Sequence, residues 1–184
     1  MPAPDLFPPS VEFVLSNETF ERDGQLVSLF EDPKTGECSN WGISLAWLRG
    51  LKPLATPEDI KAISRDGAVH LYRTFFWEPV NMGAIAFPMI AAKVFDAEVN
   101  MGSTQGIRLL QRALRVEPDG ILGPVTAAAC NADDEADLYR AIVRQAADRY
   151  QKIHDEQVKE YGQRTADLNL SRWLGRLAKV PKTS

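Results

Sequence analysis

The segment from Val11 to Ser44 reads VEFVLSNETFERDGQLVSLFEDPKTGECSNWGIS, passing from an apolar helical pattern into turn-forming pairs. Ser10, just before it, is a typical helix N-cap, and the apolar pattern stops at Glu18. Asp23-Gly24 and Asp32-Pro33 then interrupt short extended stretches, which is the pattern of a small hairpin and an irregular loop. We therefore predict a first helix followed by one small β-hairpin region.

Helix signals dominate the chain beyond this segment. Ser44 is placed to cap a short helix, and Thr56-Pro57 supplies an N-cap with proline at the first helical position. Further helices are predicted over residues 57–72, 88–102, 107–114, 125–130, 134–157 and 168–178. Many helices with one small sheet predict an α+β fold that is predominantly helical.

Composition and charge narrow the class of protein. Of 184 residues, 45% are apolar and 25% are charged, which is typical of a globular protein. The 21 basic and 25 acidic residues give a net charge of −4, which argues against nucleic-acid binding. No long uninterrupted apolar run exists, so we expect no membrane insertion. The start, MPAPDLFPP, does not resemble a secretory signal, so we expect synthesis in the cytoplasm and delivery by another system.

Cysteine and histidine are scarce. Cys38 and Cys130 are far apart in the sequence, and we expect two free thiols. His70 and His154 lie on separate predicted helices without nearby residues at metal-ligand spacing. We therefore expect no metal site and no cofactor.

Two carboxylates flank the predicted hairpin. Glu18 stands where the apolar helix ends, and partial desolvation there would favour the protonated form that a general acid needs. Asp32 lies across the hairpin and could face Glu18 over a groove, as the paired carboxylates of glycosidases do. A solvated helix end and an ordinary Asp-Pro turn would explain the same residues. From spacing alone, both interpretations stay open.

Four blocks of the sequence resemble glycoside hydrolase family 108. The first joins Leu15-Ser-Asn-Glu18 and Asp32-Pro33 to Ser39-Asn-Trp-Gly-Ile-Ser44, and is similar to the family's Glu-Gly-Gly, Asp-Pro-Gly-Gly and Thr-Asn-Tyr-Gly-Ile-Thr motifs. Tyr72-Arg-Thr-Phe-Phe-Trp-Glu-Pro79 and Phe95-Asp-Ala-Glu-Val-Asn-Met-Gly102 resemble its Tyr-Arg-x-x-Tyr-Trp-x-Pro and Phe-Asp-x-x-Val-Asn-x-Gly segments. The resemblance implies a lysozyme-like fold.

The fourth block, from Leu109 to Thr126, resembles the predicted peptidoglycan-binding half that accompanies this family. The resemblance thus implies a catalytic part over residues 1–100 and a helical peptidoglycan-binding-like part over 101–184, packed together as one unit. The pairs Asp119-Gly120 and Gly123-Pro124 would also specify a helical hairpin on their own. Whether this block is a fold element or a wall receptor stays open.

The resemblance also implies an activity and its residues. It implies a peptidoglycan hydrolase, a lysozyme that cleaves the glycan strand after N-acetylmuramic acid. It places the catalytic acid on Glu18, the supporting acid on Asp32 and a small hydroxyl residue on Ser39. The further residues expected to line or brace the substrate groove are Asn40, Tyr72, Trp77, Asp96 and Asn100.

Two departures from the family pattern leave alternatives open. Thr19-Phe20 replaces the two glycines after Glu18, and the stretch from there to Asp32 is longer than the family pattern. Either the hairpin is extended, or the partner acid is another carboxylate. The candidates for that role are Asp23, Glu31 and Glu37.

The expected partner is the peptidoglycan glycan strand. We expect the protein to reach it as a phage or prophage endolysin through holin-dependent release, or as an exported effector with an immunity protein. One rival is a wall-binding or assembly protein without turnover, which the altered turn after Glu18 favours. The other is an amidase or peptidase, which the lack of a zinc or Cys–His set disfavours.

Overall fold

The first helix begins earlier than its sequence pattern suggests. The computed structural model describes residues 4–33 and 35–182. Helix α1 spans Phe7–Glu18 with two prolines in its first turn, where the missing N–H groups have no helical partner anyway. Asp5 accepts a hydrogen bond from the first helical amide at 3.0 Å. The predicted N-cap Ser10 is therefore inside the helix, and its buried hydroxyl donates to the Leu6 carbonyl at 2.7 Å.

Two small antiparallel sheets follow α1 within the described residues. The strands are β1 Phe20–Arg22, β2 Gln25–Val27, β3 Leu29–Glu31, β4 Cys38–Asn40 and β5 Ile43–Ser44. β1 pairs with β2, and a separate sheet has the order β3-β4-β5. The β1–β2 ribbon turns at Asp23 and Gly24, whose φ angles of 53° and 75° are positive, as a type I′ turn requires. The hairpin region is thus extended, which was one of the two explanations for the long stretch after Glu18.

Helices make up most of the remaining chain, which confirms the predominantly helical α+β class. They are α2 Leu45–Leu51, α3 Pro57–Lys61, α4 Arg65–Tyr72, α5 Pro88–Met101, α6 Ser103–Leu114, α7 Pro124–Ala132, α8 Glu135–Tyr161 and α9 Gln163–Ala178, with a π-helical turn over Arg73–Trp77 and a 3₁₀ turn over Met82–Ala84. In the ranges that the structure covers, no helix has the length and apolar character needed to cross a bilayer.

Local caps explain two differences from the predicted helices. The segment 57–72 is two helices rather than one, because Ser64 caps α4 by accepting a hydrogen bond from the Gly67 amide at 3.1 Å. Helix α9 begins at Gln163 rather than at residue 168, because Gly162, with a φ of 84°, ends α8 and the next helix starts at once. This short connection makes α8 and α9 a helical hairpin.

A shared apolar core joins the two halves of the chain. Residues 90–98 of α5 are all buried. Phe95 contacts the rings of Phe7 and Tyr72 at centroid distances of 6.1 Å each, and Leu138 of α8 belongs to the same buried cluster. Helix α5 therefore lies in the middle of the molecule, although a division at residue 100 stays a prediction.

The Leu109–Thr126 block is organised around the buried side chain of Gln111. Its amide nitrogen donates to Asp119 Oδ1 at 2.6 Å and to Thr126 Oγ1 at 3.1 Å. Its oxygen accepts from the Gly120 amide at 2.8 Å. These hydrogen bonds tie α6 to the following turn and to α7, which gives the motif a role in the fold. A wall-receptor role for the block stays a prediction.

Candidate active site

Glu18 is the last residue of α1, at the point where the chain enters the sheet region. Thr19 follows it with φ of −121° and ψ of 155°, so the chain passes straight into an extended strand. Glycines are not needed for this backbone path. The Glu18 side chain is 20% exposed, and its Oε1 accepts a hydrogen bond from Arg176 Nη1 at 2.6 Å. Glu18 is therefore a partly buried carboxylate in an ion pair.

Arg176 comes from α9, near the far end of the chain, and binds two carboxylates at once. Its Nε and Nη2 donate to Asp96 Oδ1 at 3.1 Å and 2.8 Å, while Nη1 reaches Glu18. Burial opposes the charge of Arg176, but the carboxylates of Asp96 and Glu18 outweigh it and raise the pKa of the guanidinium above its ordinary value. Asn17 adds a donor to Asp96 Oδ1 at 2.8 Å. These four side chains join α1, α5 and α9.

Tyr72 and the β4–β5 turn form another side of the Glu18 environment. Tyr72 is fully buried, and its hydroxyl donates to the Trp41 carbonyl at 2.9 Å. Burial, reinforced by the charge of Glu18, raises the pKa of Tyr72, so the phenol stays neutral. Gly42, the next turn residue, lies so close that a Cβ built on it would be 2.6 Å from Glu18 Cγ. The turn thus packs its main chain against the carboxylate.

Asp32 and Ser39 lie on the β3–β4 hairpin. The Asp32 amide donates to the Glu37 carbonyl at 2.8 Å, and its carbonyl accepts from the Gly36 amide at 2.8 Å. Ser39 of β4 lies opposite Phe30 of β3 in the antiparallel register. It lines a cavity of about 500 Å³ between this hairpin and α2. Ser39 thus lies beside a cavity that is open to a ligand, whereas neither Asp32 nor Glu18 is among the described residues that line it. The catalytic roles of Asp32 and Ser39 stay predictions.

The other residues expected at the groove hold the fold from within. The Asn40 amide donates to the carbonyls of Ile60 and Ile63 at 3.2 Å and 3.0 Å, which ties β4 to the α3 region. Trp77 is 4% exposed, and its ring packs edge-on against Phe95 at 5.2 Å rather than facing solvent. Asn100 donates to the Tyr150 hydroxyl at 2.7 Å. These contacts brace the structure, and direct sugar binding by these side chains stays a prediction.

Glu31, one of the alternative acids, and His154 each have a charged partner. Glu31 forms an ion pair with Lys61 at 2.9 Å, with both side chains about half exposed. His154 lies between Asp167 at 2.9 Å and Asp155 at 3.1 Å, and these hydrogen bonds raise its pKa. Across residues 4–33 and 35–182, no three His, Cys, Asp or Glu side chains gather as a metal site would need.

Arg176 is the site residue that no sequence motif indicates. Its signal is positional: it stands between Trp173 and Leu177 of α9, on the face that packs against the rest of the protein. A charged residue in an apolar helix stripe usually has a buried partner. The sequence alone does not say that this partner is Glu18.

Comparisons with known proteins agree with the sequence motifs. Residues 16–102 match the family model described as glycosyl hydrolase 108, and residues 105–178 match the one described as predicted peptidoglycan domain. The fold is similar to the structure of Brucella abortus SagA, with a TM-score of 0.65 and 20% identity over 94% of this chain and 96% of that chain. No curated protein matches the sequence. The two family matches and the shared fold confirm the predicted family and its lysozyme-like α+β class. The chain belongs to glycoside hydrolase family 108 and is, at the level of that family, a peptidoglycan hydrolase.

Proposed function

We propose that the protein is an N-acetylmuramidase of the lysozyme type, which cleaves the glycan strand of peptidoglycan after N-acetylmuramic acid. The observation that carries this proposal is the setting of Glu18, a partly buried carboxylate at the junction of α1 and the sheets. Among the described residues, hydrogen bonds reach this side chain at Oε1, from Arg176. Oε2 is then the oxygen that can meet a substrate.

In the proposed reaction, Glu18 takes up a proton from solvent on Oε2 and then gives it to the glycosidic oxygen. The bond from C1 to that oxygen breaks, and the electron pair stays on the leaving sugar. Asp32 stabilises the positive charge that develops at C1 or orients the attacking water, and Ser39 helps to hold that water. The water oxygen bonds to C1, and its released proton passes to a carboxylate of the pair.

The wall-degrading role follows from the substrate. Peptidoglycan lies outside the cytoplasm, so the enzyme acts in the periplasm or at the cell surface after release or export. We propose a phage or prophage endolysin or a secreted effector, for which a holin or an immunity protein would be the matching partner.

Mass analysis of fragments released from purified peptidoglycan sacculi tests the proposed bond. New reducing ends at N-acetylmuramic acid are the expected product. Reducing ends at N-acetylglucosamine would indicate a glycosidase of different bond specificity. Free amines from the stem peptide would indicate the amidase rival, and binding without release would indicate the wall-binding rival.

A further inference from the structure

Helix α9 is fixed to α5 at two points, one at Arg176 itself and one at the carbonyl groups that follow it. Lys93 is 2% exposed, and its Nζ donates to the carbonyls of Leu177 at 2.7 Å and Lys179 at 2.9 Å. These carbonyls end α9, where a cation is favourable because the last carbonyls lack helical partners. Asp96, three residues after Lys93 and thus on the same face of α5, holds the guanidinium. The end of α9 therefore has little freedom to shift.

The guanidinium divides its donors between two carboxylates in a way that a simple cation could not. Nε and Nη2 bind Asp96, which fixes the plane of the group, and the remaining Nη1 then points at Glu18 Oε1. Arginine can do this because its planar fork has donors in fixed directions, whereas lysine presents one ammonium. The arrangement is buried, with 14% of Arg176 and 6% of Asp96 exposed.

We propose that Arg176 is a positioning residue of the active site, and that the C-terminal half completes this site rather than serving as a separable wall anchor. The inference rests on the proposed function. Arg176 fixes one oxygen of Glu18, so that the other oxygen is held towards the glycosidic oxygen. Misplacing a catalytic group by about 1 Å can cost about 10²-fold in rate. Arg176 lies inside the segment that matches the predicted peptidoglycan domain, residues 105–178.

The test compares Arg176→Lys and Arg176→Ala with Arg172→Ala, which removes an exposed arginine one turn earlier on α9. Rates are measured on solubilised glycan strands, and binding is measured by co-sedimentation with intact sacculi. We expect kcat to fall by about 10²-fold in both Arg176 variants, with KM and sacculus binding near wild type. Guanidinium ion at a concentration that leaves the fold intact should restore part of the kcat of Arg176→Ala. Arg172→Ala should behave like wild type.

A folding defect is separated from a positioning defect by the double variant Asp96→Asn with Arg176→Gln. It removes both charges of the buried Arg176–Asp96 pair, so that the carboxylate left without its partner is that of Glu18, which is 20% exposed and keeps contact with solvent. It should unfold cooperatively near the wild-type temperature and still show the low kcat.

The proposal is overturned if Arg176→Lys keeps wild-type kcat, or if the Arg176 variants lose sacculus binding while kcat at saturation is unchanged. The second result would make this half a wall anchor. A double variant with wild-type kcat would overturn it too. A wild-type protein that releases no reducing ends would instead overturn the proposed function, and this inference with it.

Discussion

Gly42 lies directly against Glu18. A Cβ atom on Gly42 would come within 2.6 Å of Glu18 Cγ and 2.8 Å of its Cδ, and it would also overlap the Tyr72 hydroxyl. Gly42 and Trp41 both have positive φ angles, 81° and 53°, in the two-residue turn between β4 and β5. The turn thus packs its main chain against the Glu18 side chain, and the absence of a side chain at Gly42 lets the carboxylate approach Tyr72.

We expect Gly42→Ala to displace Glu18 and lower kcat by about 10²-fold, because the new methyl group occupies the space of the Glu18 side chain. Gly24→Ala is the matched control. Gly24 sits in the other two-residue turn with a similar φ of 75°, but nothing lies within 4 Å of its Cβ position. In both variants alanine must adopt a positive φ, which costs about 1–2 kcal/mol. Only in Gly42→Ala does the new methyl group also contact the Glu18 side chain. Equal activity losses in the two would show that strain, not the contact with Glu18, is responsible.

Glu18→Gln should abolish most of the turnover. General-acid catalysis contributes about 10²- to 10⁴-fold in rate, and an amide cannot supply the proton. The fold should survive, because Arg176 keeps its two-pronged contact with Asp96. Glu21→Gln, at an exposed position of β1, is the control. Clearing of a sacculus suspension at the wild-type rate by Glu18→Gln would remove Glu18 from the mechanism.

Asp32→Asn should also slow turnover strongly if Asp32 is the supporting acid, since an amide carries no charge to stabilise the developing cation at C1. The matched set is Asp23→Asn, Glu31→Gln and Glu37→Gln, each changing a carboxylate of the same region. Glu31→Gln should leave the free energy of unfolding nearly unchanged, because its partner Lys61 is exposed and solvent screens the pair. If one of these three is the inactive variant, the supporting acid is that residue.

The fold was largely predictable because its signals are local. The Asp23-Gly24 turn, the Thr56 cap and the glycine at residue 102 each act on their own neighbours, and each lies where the sequence indicates. The predicted start of α1 was wrong, also for a local reason. Pro8 and Pro9 are compatible with the first turn of a helix, but the same residues also occur where a helix is interrupted. The split of 57–72 depends on Ser64, whose capping role competes with continuation of the helix.

The site was only partly predictable because its contacts are long-range. Glu18 is marked by its motif, whereas Arg176 is 158 residues away in sequence. Their contact depends on how α9 packs on α5, and no periodicity in either segment specifies that packing. Trp77 shows the same limit, since its place in a family motif does not reveal that its ring is buried against Phe95.

Glu98 offers a test of the α5–α6 junction. It is fully buried, and within the described residues its Oε2 has no hydrogen-bond partner, while Oε1 accepts from the Ser103 hydroxyl at 2.6 Å. Burial raises the pKa of Glu98 to about 8, against an ordinary value of 4.5, and the bond from Ser103 only partly opposes this. Glu98 is therefore a neutral carboxylic acid in the folded protein at neutral pH.

This shift predicts that Glu98 destabilises the fold as the pH rises. Between pH 4.5 and about 8, the folded state keeps the Glu98 proton and the unfolded chain loses it. The free energy of unfolding should then fall by up to about 1.4 kcal/mol per pH unit in this window and level off above it.

Glu98→Gln removes the titration, so its stability should fall less steeply than that of wild type, although its buried amide adds a constant penalty. Urea unfolding from pH 4 to 9 measures the slope of stability against pH for both proteins. Lys93 and His154 titrate in both, so their contributions cancel when one curve is subtracted from the other. Parallel curves across the window would mean that Glu98 is ionised in the folded protein, with a counter-charge or water at its Oε2.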